Sequence, residues 1–319
     1  MTDWLVGAYG PDMDGHARGV VKLTPREDGG LRPVEGFLVE APSPAFLARG
    51  HGGVYAALEG SRAVVKLDSG ERFDSGGQWP CHIGVYGDSV VVANYFDGSI
   101  GLATGQVLEA EPGHGPREAQ AGPHAHSTAQ FGDLILSADL GTDRLVLHTL
   151  VDGVLERVGW IPLTPGTGPR DILVDGNLVY VLGEHGLTVT ILEASEGGLT
   201  PLVDVPLPGA LEGDQAAALA LANGYLYAGL RGSNQVSVLR VTHNGRGLTP
   251  VGSVSTAGDW PRHLVADGRV LHVANQLSST VASFSLGADG IPSLIGEPCP
   301  TPSPTYLLPD FEISESLVK

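Results

Sequence analysis

The residues able to do chemistry in this sequence fall at matching places in short repeated stretches. Arg170 in "GPRDI" and Arg262 in "WPRHL" each follow a proline, while Glu184 in "YVLGE" and Arg231 in "AGLR" each close an apolar run. Guanidinium groups bind carboxylate or phosphate bidentately, and in a confined site they also hold negative charge that develops during a reaction. A carboxylate beside them can move a proton. "GPHAHS", residues 122–127, contributes His124 and His126, and "PCHIG" and "WPRHL" contribute His82 and His263. Two positions apart on a strand, His124 and His126 share a face, which permits a metal pair. No carboxylate–histidine motif accompanies them, so pocket lining with no metal and no cofactor is the expectation. Cys81 next to His82 resembles a thiolate dyad only on paper, because adjacent residues of a regular strand point to opposite faces. "GHGPR" and "GTGPR" are glycine-rich but lack the lysine and following helix of a phosphate loop.

These residues need elements to hold them, and the sequence supplies a repeat. Anchored on Pro44, Pro80, Pro123, Pro169, Gln215, Pro261 and Pro304, the spacings are 36, 43, 46, 46, 46 and 43 residues, the period of a four-stranded propeller blade. Within a repeat, short runs such as "NLVYVLG" and "LTVTILEA" are separated by turn residues rather than spread at a helical period. "EDGGL", "VDGVL", "SEGGL", "NGRGL" and "ADGIP" read as hairpin turns between strands C and D, with glycine supplying positive φ. At the ends, "DWLVGAYG", "GVVKL" and "LRPVEGFLV" are strands B, C and D of a blade whose strand A is the C-terminal "PTYLL". The expected fold is all-β: a seven-bladed β-propeller forming one domain over residues 1–319, its last blade closed by one C-terminal and three N-terminal strands.

Composition narrows the partners. A net charge of −18, with no run of lysine or arginine, argues against nucleic acid and anionic membrane. Neither a signal peptide nor a membrane span is discernible, which makes the cytoplasm the expected location. Cys81 and Cys299 are too few for a disulfide framework and are expected to be reduced. Oligomeric state is left open.

Strand A of each blade lines the central channel and strand B runs back beside it, so the start of A and the end of B meet at one rim. One ring of side chains follows the anchors: Ala45-Phe46, Cys81-His82, His124-Ala125-His126, Arg170-Asp171, Ala216-Ala217, Arg262-His263 and Thr305-Tyr306. A second closes strand B: Tyr9, Glu59, Asn94, Asp139, Glu184, Arg231 and Asn275. Polar groups ending seven otherwise apolar sheets predict a convergent pocket for a small anion. Asn94 and Asn275 are expected to offer hydrogen bonds to a polyhydroxy ligand or to cap turns, and Asp139 to cap the turn after strand B.

Several stretches, in order, carry a resemblance to a known family: "VGAYG", "PCHIGV", "VANYFDGS", "GPHAHS", "ADLGTDRL", "GTGPRDI", "YVLGE", "LRGSNQVSVL", "WPRHLV" and "VANQLSSTV". The chain resembles the seven-bladed propeller lactonases, which include 6-phosphogluconolactonases and carboxymuconate lactonizing enzymes. The resemblance implies an active site of Arg170, Glu184 and Arg262 with His126 or its neighbour His124. His82, Asn94, His124, Arg231, His263 and Asn275 are then the expected substrate contacts. Two departures stand out: Asp171 occupies the place of a histidine in "GPRH", and the fifth repeat opens with alanines, "DQAAALAL". The implied reaction is hydrolysis of an anionic sugar lactone such as 6-phosphogluconolactone, with arginines holding the oxyanion and a Glu or His as general base. The alternatives are a lactonizing isomerase and a propeller that only binds.

Overall fold

A computed structural model describes residues 2–50 and 52–310; residues 1, 51 and 311–319 of the expected domain lie outside the described residues. Seven sheets are present, each with neighbouring strands antiparallel. Blade 1 comprises strands A to D at Pro44–Gly50, Gly53–Leu58, Ala63–Lys66 and Arg72–Asp74. The inner strands A of blades 2 to 6 are Pro80–Tyr86, Ala125–Phe131, Pro169–Asp175, Gln215–Ala222 and Pro261–Asp267. Blade 7 joins the chain ends: C-terminal Pro304–Asp310 is its strand A, and Asp3–Ala8, Gly19–Pro25 and Leu31–Glu40 are B, C and D. Lys22 and Arg49 both bind the Asp310 carboxylate, at 2.9 and 2.6 Å, and so pin the returning strand to blades 7 and 1. Only blade 6 departs from the expected plan. Its outer strand is split into Pro292–Leu294 and Cys299–Pro300, both paired with Thr280–Leu286.

The core lies between blades. Tyr180, Leu182 and Ile191 of blade 4 pack on Ala228, Leu230 and Leu239 of blade 5. Trp4, Val6 and Leu307 of blade 7 pack on Ala274 and Val281 of blade 6. Each large side chain buried this way contributes about 1.5–3 kcal/mol relative to exposure, so the blades hold one another and the ring closes on itself.

A β-bulge interrupts the start of every inner strand. Pro169 pairs with Gly183 and Asp171 with Leu182, leaving Arg170 unpaired; the same slip surrounds Ala45, Cys81, His126, Arg262 and Thr305. In blade 5 the irregularity spans Ala216 to Leu219. An extra residue in one strand turns two successive side chains toward the same face. After three of the bulges the next residue does structural work. His82 Nδ1 accepts from the Thr128 N–H at 3.4 Å, Asp171 Oδ2 from the Leu219 N–H at 2.8 Å, and His263 Nδ1 from the Leu307 N–H at 3.3 Å. Each bond crosses to the next blade at the same register. Asp171 therefore stands in for a histidine as an acceptor, and the apparent departure from the family pattern is a conservative one in hydrogen-bonding terms.

Asp171→Ala leaves the buried Leu219 N–H without its acceptor and should cost about 1–3 kcal/mol, seen as a lower Tm, whereas Asp171→Asn should keep most of the stability. Burial holds His82 and His263 at pKa values of about 3. Histidines of the unfolded chain protonate near 6.5, so as pH falls the unfolded state takes up protons first. Stability is then present above pH 6.5 and is lost progressively toward pH 3. Urea midpoints should fall between pH 6.5 and 5, and the His82→Asn/His263→Asn double variant should show a flatter dependence.

Candidate active site

Because of the bulges, all seven pairs of successive residues face the tunnel: Cys81 with His82, Arg170 with Asp171, Arg262 with His263, and so on around the ring. The expectation that Cys81 and His82 point to opposite faces is corrected, since it held only for an unbroken strand. No dyad results. The Cys81 thiol is turned to the backbone oxygens of His126 and Ala125, at 3.3 and 3.5 Å, and burial pushes its pKa far up. In blade 3 the strand pairing places Ala125, not Pro123, opposite Asp139. His126 is thus the tunnel residue equivalent to Cys81, Arg170 and Arg262. His124 lies just before the strand, stacked on Tyr95 at 4.6 Å with Nδ1 2.8 Å from the Tyr95 carbonyl oxygen. His124 does not line the tunnel cavities, so the two histidines form no pair.

The second ring also shifts. The backbone N–H of Tyr9, Glu59, Tyr95, Leu140, Glu184 and Gln276 each donates to the carbonyl just before an inner strand: Ser303, Ser43, Trp79, His124, Gly168 and Trp260. These six, with Arg231, are the true equivalents. Asn94, Asp139 and Asn275 come one residue earlier and face into the protein. Asn94 Nδ2 donates to the Ser75 carbonyl at 3.0 Å, and Asn275 Nδ2 to the Thr256 carbonyl at 3.0 Å, both fully buried. They fasten the connectors "SGGQWP" and "TAGDWP", where a Cβ on Gly77 or Gly258 would collide with the asparagine. Their assignment as substrate contacts is therefore corrected. Asp139 takes the His124 and Gly141 N–H groups and the Thr142 hydroxyl, as a turn cap does.

Two cavities meet at this level. The outer one, about 320 Å³, is lined by Tyr9, Trp79, Tyr95, Glu184, His185 and Arg231 among others. The inner one, about 240 Å³, is lined by Phe46, His82, Ser127, Asp171, His263 and Tyr306 among others. Glu59, Cys81, His126, Arg170 and Arg262 line both and form the neck between them.

The site around the neck is charged and largely buried. Glu184 Oε2 lies 2.7 Å from Arg170 Nε and 2.7 Å from Arg231 Nη2, with all three side chains under a tenth exposed. Burial alone would raise the Glu184 pKa, but Arg231 and Arg170 outweigh it and hold the carboxyl below its ordinary value. Burial brings Arg231 down to about 10, despite Glu184. Arg170 also donates to the Ala217 carbonyl in blade 5. Arg262 is held differently: its Nη2 lies 3.5 Å from both Glu59 oxygens, and its guanidinium covers the Tyr9 ring at 4.6 Å. Burial, then Arg170, Arg262 and Arg231, push His126 well below 6.5, so it is a neutral imidazole at pH 7.

The structure thus brings together Arg170, Glu184, Arg231, Arg262 and His126, places His82 and His263 one layer deeper, and leaves His124, Asn94 and Asn275 outside. Tyr95, Trp79 and His185 line the outer cavity without having been singled out. Counting from the structurally equivalent anchors would have found the ring: Pro44 to Glu59, Pro80 to Tyr95, Ala125 to Leu140, Pro169 to Glu184 and Pro261 to Gln276 are all the same interval.

An axial pocket lined by guanidinium and carboxylate groups, set in a seven-bladed β-propeller, is the class of protein that this geometry defines. Within that class the chain belongs to the lactonase family of seven-bladed β-propellers, whose family model matches residues 3–309. A 6-phosphogluconolactonase of Bacillus subtilis is 31% identical over 212 residues, an alignment spanning 60% of this chain and 61% of that enzyme, less than two thirds of either. Among solved structures, a Bacteroides fragilis protein proposed to be a 6-phosphogluconolactonase superposes with a TM-score of 0.86 at 25% identity, covering 97% of this chain and 98% of that one. A Pseudomonas aeruginosa periplasmic gluconolactonase superposes with a TM-score of 0.84 at 22% identity, covering 97% and 99%, and shows the shared fold.

Asn94→Ala should lower Tm by removing the bond to the Ser75 carbonyl while leaving ligand affinity unchanged; a raised Kd with an unaltered Tm would return Asn94 to the pocket.

Proposed function

We propose that the protein hydrolyses an anionic sugar lactone, with 6-phosphogluconolactone as the leading candidate. Family membership and the Bacillus subtilis relative support the reaction class. The observation that carries it is the charge gathered where the cavities meet: Arg170, Arg231 and Arg262 stand against Glu59, Glu184 and a neutral His126, leaving one positive charge among these largely buried groups. In such a setting an anion is held far more strongly than in bulk solvent.

The groups divide by how tightly they are already engaged. Arg170 and Arg231 are locked to Glu184 and form a rigid positive unit, suited to the substrate's standing phosphate or carboxylate. Arg262, with only the long contact to Glu59, keeps N–H groups free to take the lactone carbonyl oxygen as it becomes an oxyanion. Neutral His126 adds a hydrogen-bonding group at the neck without adding charge. Water attacks the carbonyl carbon, and the ring opens to a hydroxy acid.

Arg262→Ala should lower kcat/KM on freshly prepared 6-phosphogluconolactone by about 100-fold or more, measured as acid release above the spontaneous rate. Glucono-δ-lactone, lacking the phosphate, should show a higher KM with the wild-type protein. No acceleration of any lactone in a panel, or an Arg262→Ala variant equal to wild type, would leave a propeller that only binds.

A further inference from the structure

We propose that Glu59, and not Glu184, is the general base that activates the attacking water. This rests on the lactone-hydrolase reading and identifies a catalytic group that the family resemblance did not single out.

The neck narrows the candidates. Of the five residues that line both cavities, two are arginines, which stay protonated, and one is a buried thiol engaged with backbone carbonyls. That leaves Glu59 and His126. His126 lies among three guanidiniums, which oppose its taking a proton, because the imidazolium would add a fourth positive charge. Protonating Glu59 also works against its ion pair with Arg262, but it leaves a neutral acid where protonating His126 would leave a buried cation.

The two carboxylates of the site differ in how closely guanidiniums approach them. Glu184 Oε2 forms close ion pairs with two guanidiniums, 2.7 Å from Arg170 Nε and 2.7 Å from Arg231 Nη2. A carboxylate between two such close cations positions arginines, and a proton placed on it would weaken both ion pairs. Glu59 accepts long hydrogen bonds from one guanidinium, Arg262 Nη2 at 3.5 Å from each oxygen, with the Tyr9 side chain beside it, so it is held more loosely than Glu184. Glu184 lines only the outer cavity, whereas Glu59 lines outer and inner alike and so stands where the two open into each other.

The backbone holds this carboxylate firmly. The Glu59 N–H donates to the Ser43 carbonyl at 3.1 Å, and Leu58 just before it is fully buried in the core between blades 7 and 1. Arg262 comes from blade 6, on the far side of blade 7, and reaches Glu59 across the tunnel. Both Arg262 and Glu59 line the two cavities, so the guanidinium and the carboxylate face the same space. A carbonyl oxygen on Arg262 and a water on Glu59 can be held side by side.

The step balances as follows. Glu59 takes one proton from water as the oxygen forms a bond to the lactone carbonyl carbon, and the carbonyl π pair moves onto its oxygen beside Arg262. As the C=O bond re-forms, the ring C–O bond breaks and its electron pair leaves on the ring oxygen, which takes the proton back from Glu59. The hydroxy acid then ionises and releases one proton to solvent, with Glu59 restored as carboxylate.

The test uses the full chain with 6-phosphogluconolactone and glucono-δ-lactone. Glu59→Gln should lower kcat by about 10²–10⁴-fold with KM within threefold of wild type and Tm little changed. Glu59→Ala should recover part of its kcat in added formate, which does not accelerate wild type. Glu184→Gln should act mainly through KM, with no rescue by formate. If Glu59→Gln does not fold, Glu59→Asp, which keeps the charge but withdraws the carboxylate by one methylene, should show the same loss of kcat at unchanged KM. A Glu59→Gln variant with kcat within threefold of wild type, or one that loses activity through KM alone, overturns the proposal. Formate rescue of Glu184→Ala instead of Glu59→Ala would transfer the role to Glu184. In those cases the wild-type protein still hydrolyses lactones and the functional reading survives; a wild type without activity sinks both.

Discussion

In a regular antiparallel pair Arg170 and Asp171 would lie on opposite sides of their sheet, one in the tunnel and one between blades. The extra residue at the start of each inner strand removes that alternation, and both side chains enter the tunnel. The site depends on this local irregularity. Without it, the neck would lose either its guanidiniums or the acceptors that tie each inner strand to the next blade. With it, one short segment supplies a group for a ligand and, one residue on, a structural acceptor, as Arg262 and His263 do in blade 6.

The same irregularity accounts for how so much charge can be buried. Removing one partner from a buried ion pair typically costs 3–5 kcal/mol, so the Arg170–Glu184–Arg231 group is tolerable only as a complete unit. Its members come from blades 4 and 5, and the Arg170 bond to the Ala217 carbonyl fastens the same interface. The alanines that open blade 5 fit this arrangement: Ala217 and Ala218 leave room beside the guanidinium and offer a carbonyl instead of a competing side chain. A rigid cluster on one wall and the looser Arg262–Glu59 contact on the other make the neck asymmetric. Under the proposed lactone hydrolysis this asymmetry divides the work: charge fixed in advance needs no reorganisation, while the more loosely paired carboxylate can exchange a proton.

Much of this was legible in the chain. Glycine-marked turns, short β runs and a recurring period specify blades, because a four-stranded sheet with two apolar faces is stable only when stacked between two others. The incomplete repeats at either end specify closure, and "PTYLL" does pair with "DWLVGA". Arg170, Glu184, Arg231, Arg262 and His126 were likewise visible as polar endings on apolar strands. The differences are shifts of one residue in the second ring and of two in the anchor of blade 3. Asn94 and Asn275 were placed in the pocket instead of Tyr95 and Gln276, and His124 was set beside His126, because counting from a proline cannot reveal where a strand slips against its partner.

What the sequence by itself determined is therefore the number of blades, the way the ring is closed and the kind of charge gathered at one mouth. Hydrophobic periodicity and turn chemistry act over a few residues, and their repetition along the chain is enough to decide these. Only the tertiary structure decided how closely each carboxylate is paired. Glu59 and Glu184 stand at equivalent positions in blades 1 and 4, each after an apolar strand, and nothing in their local sequence tells them apart. The distinction arises from arginines that reach them from other blades, at 2.7 Å in one case and 3.5 Å in the other. Those distances are set by ring closure, which brings together residues far apart in sequence and fixes how many guanidiniums each carboxylate must share.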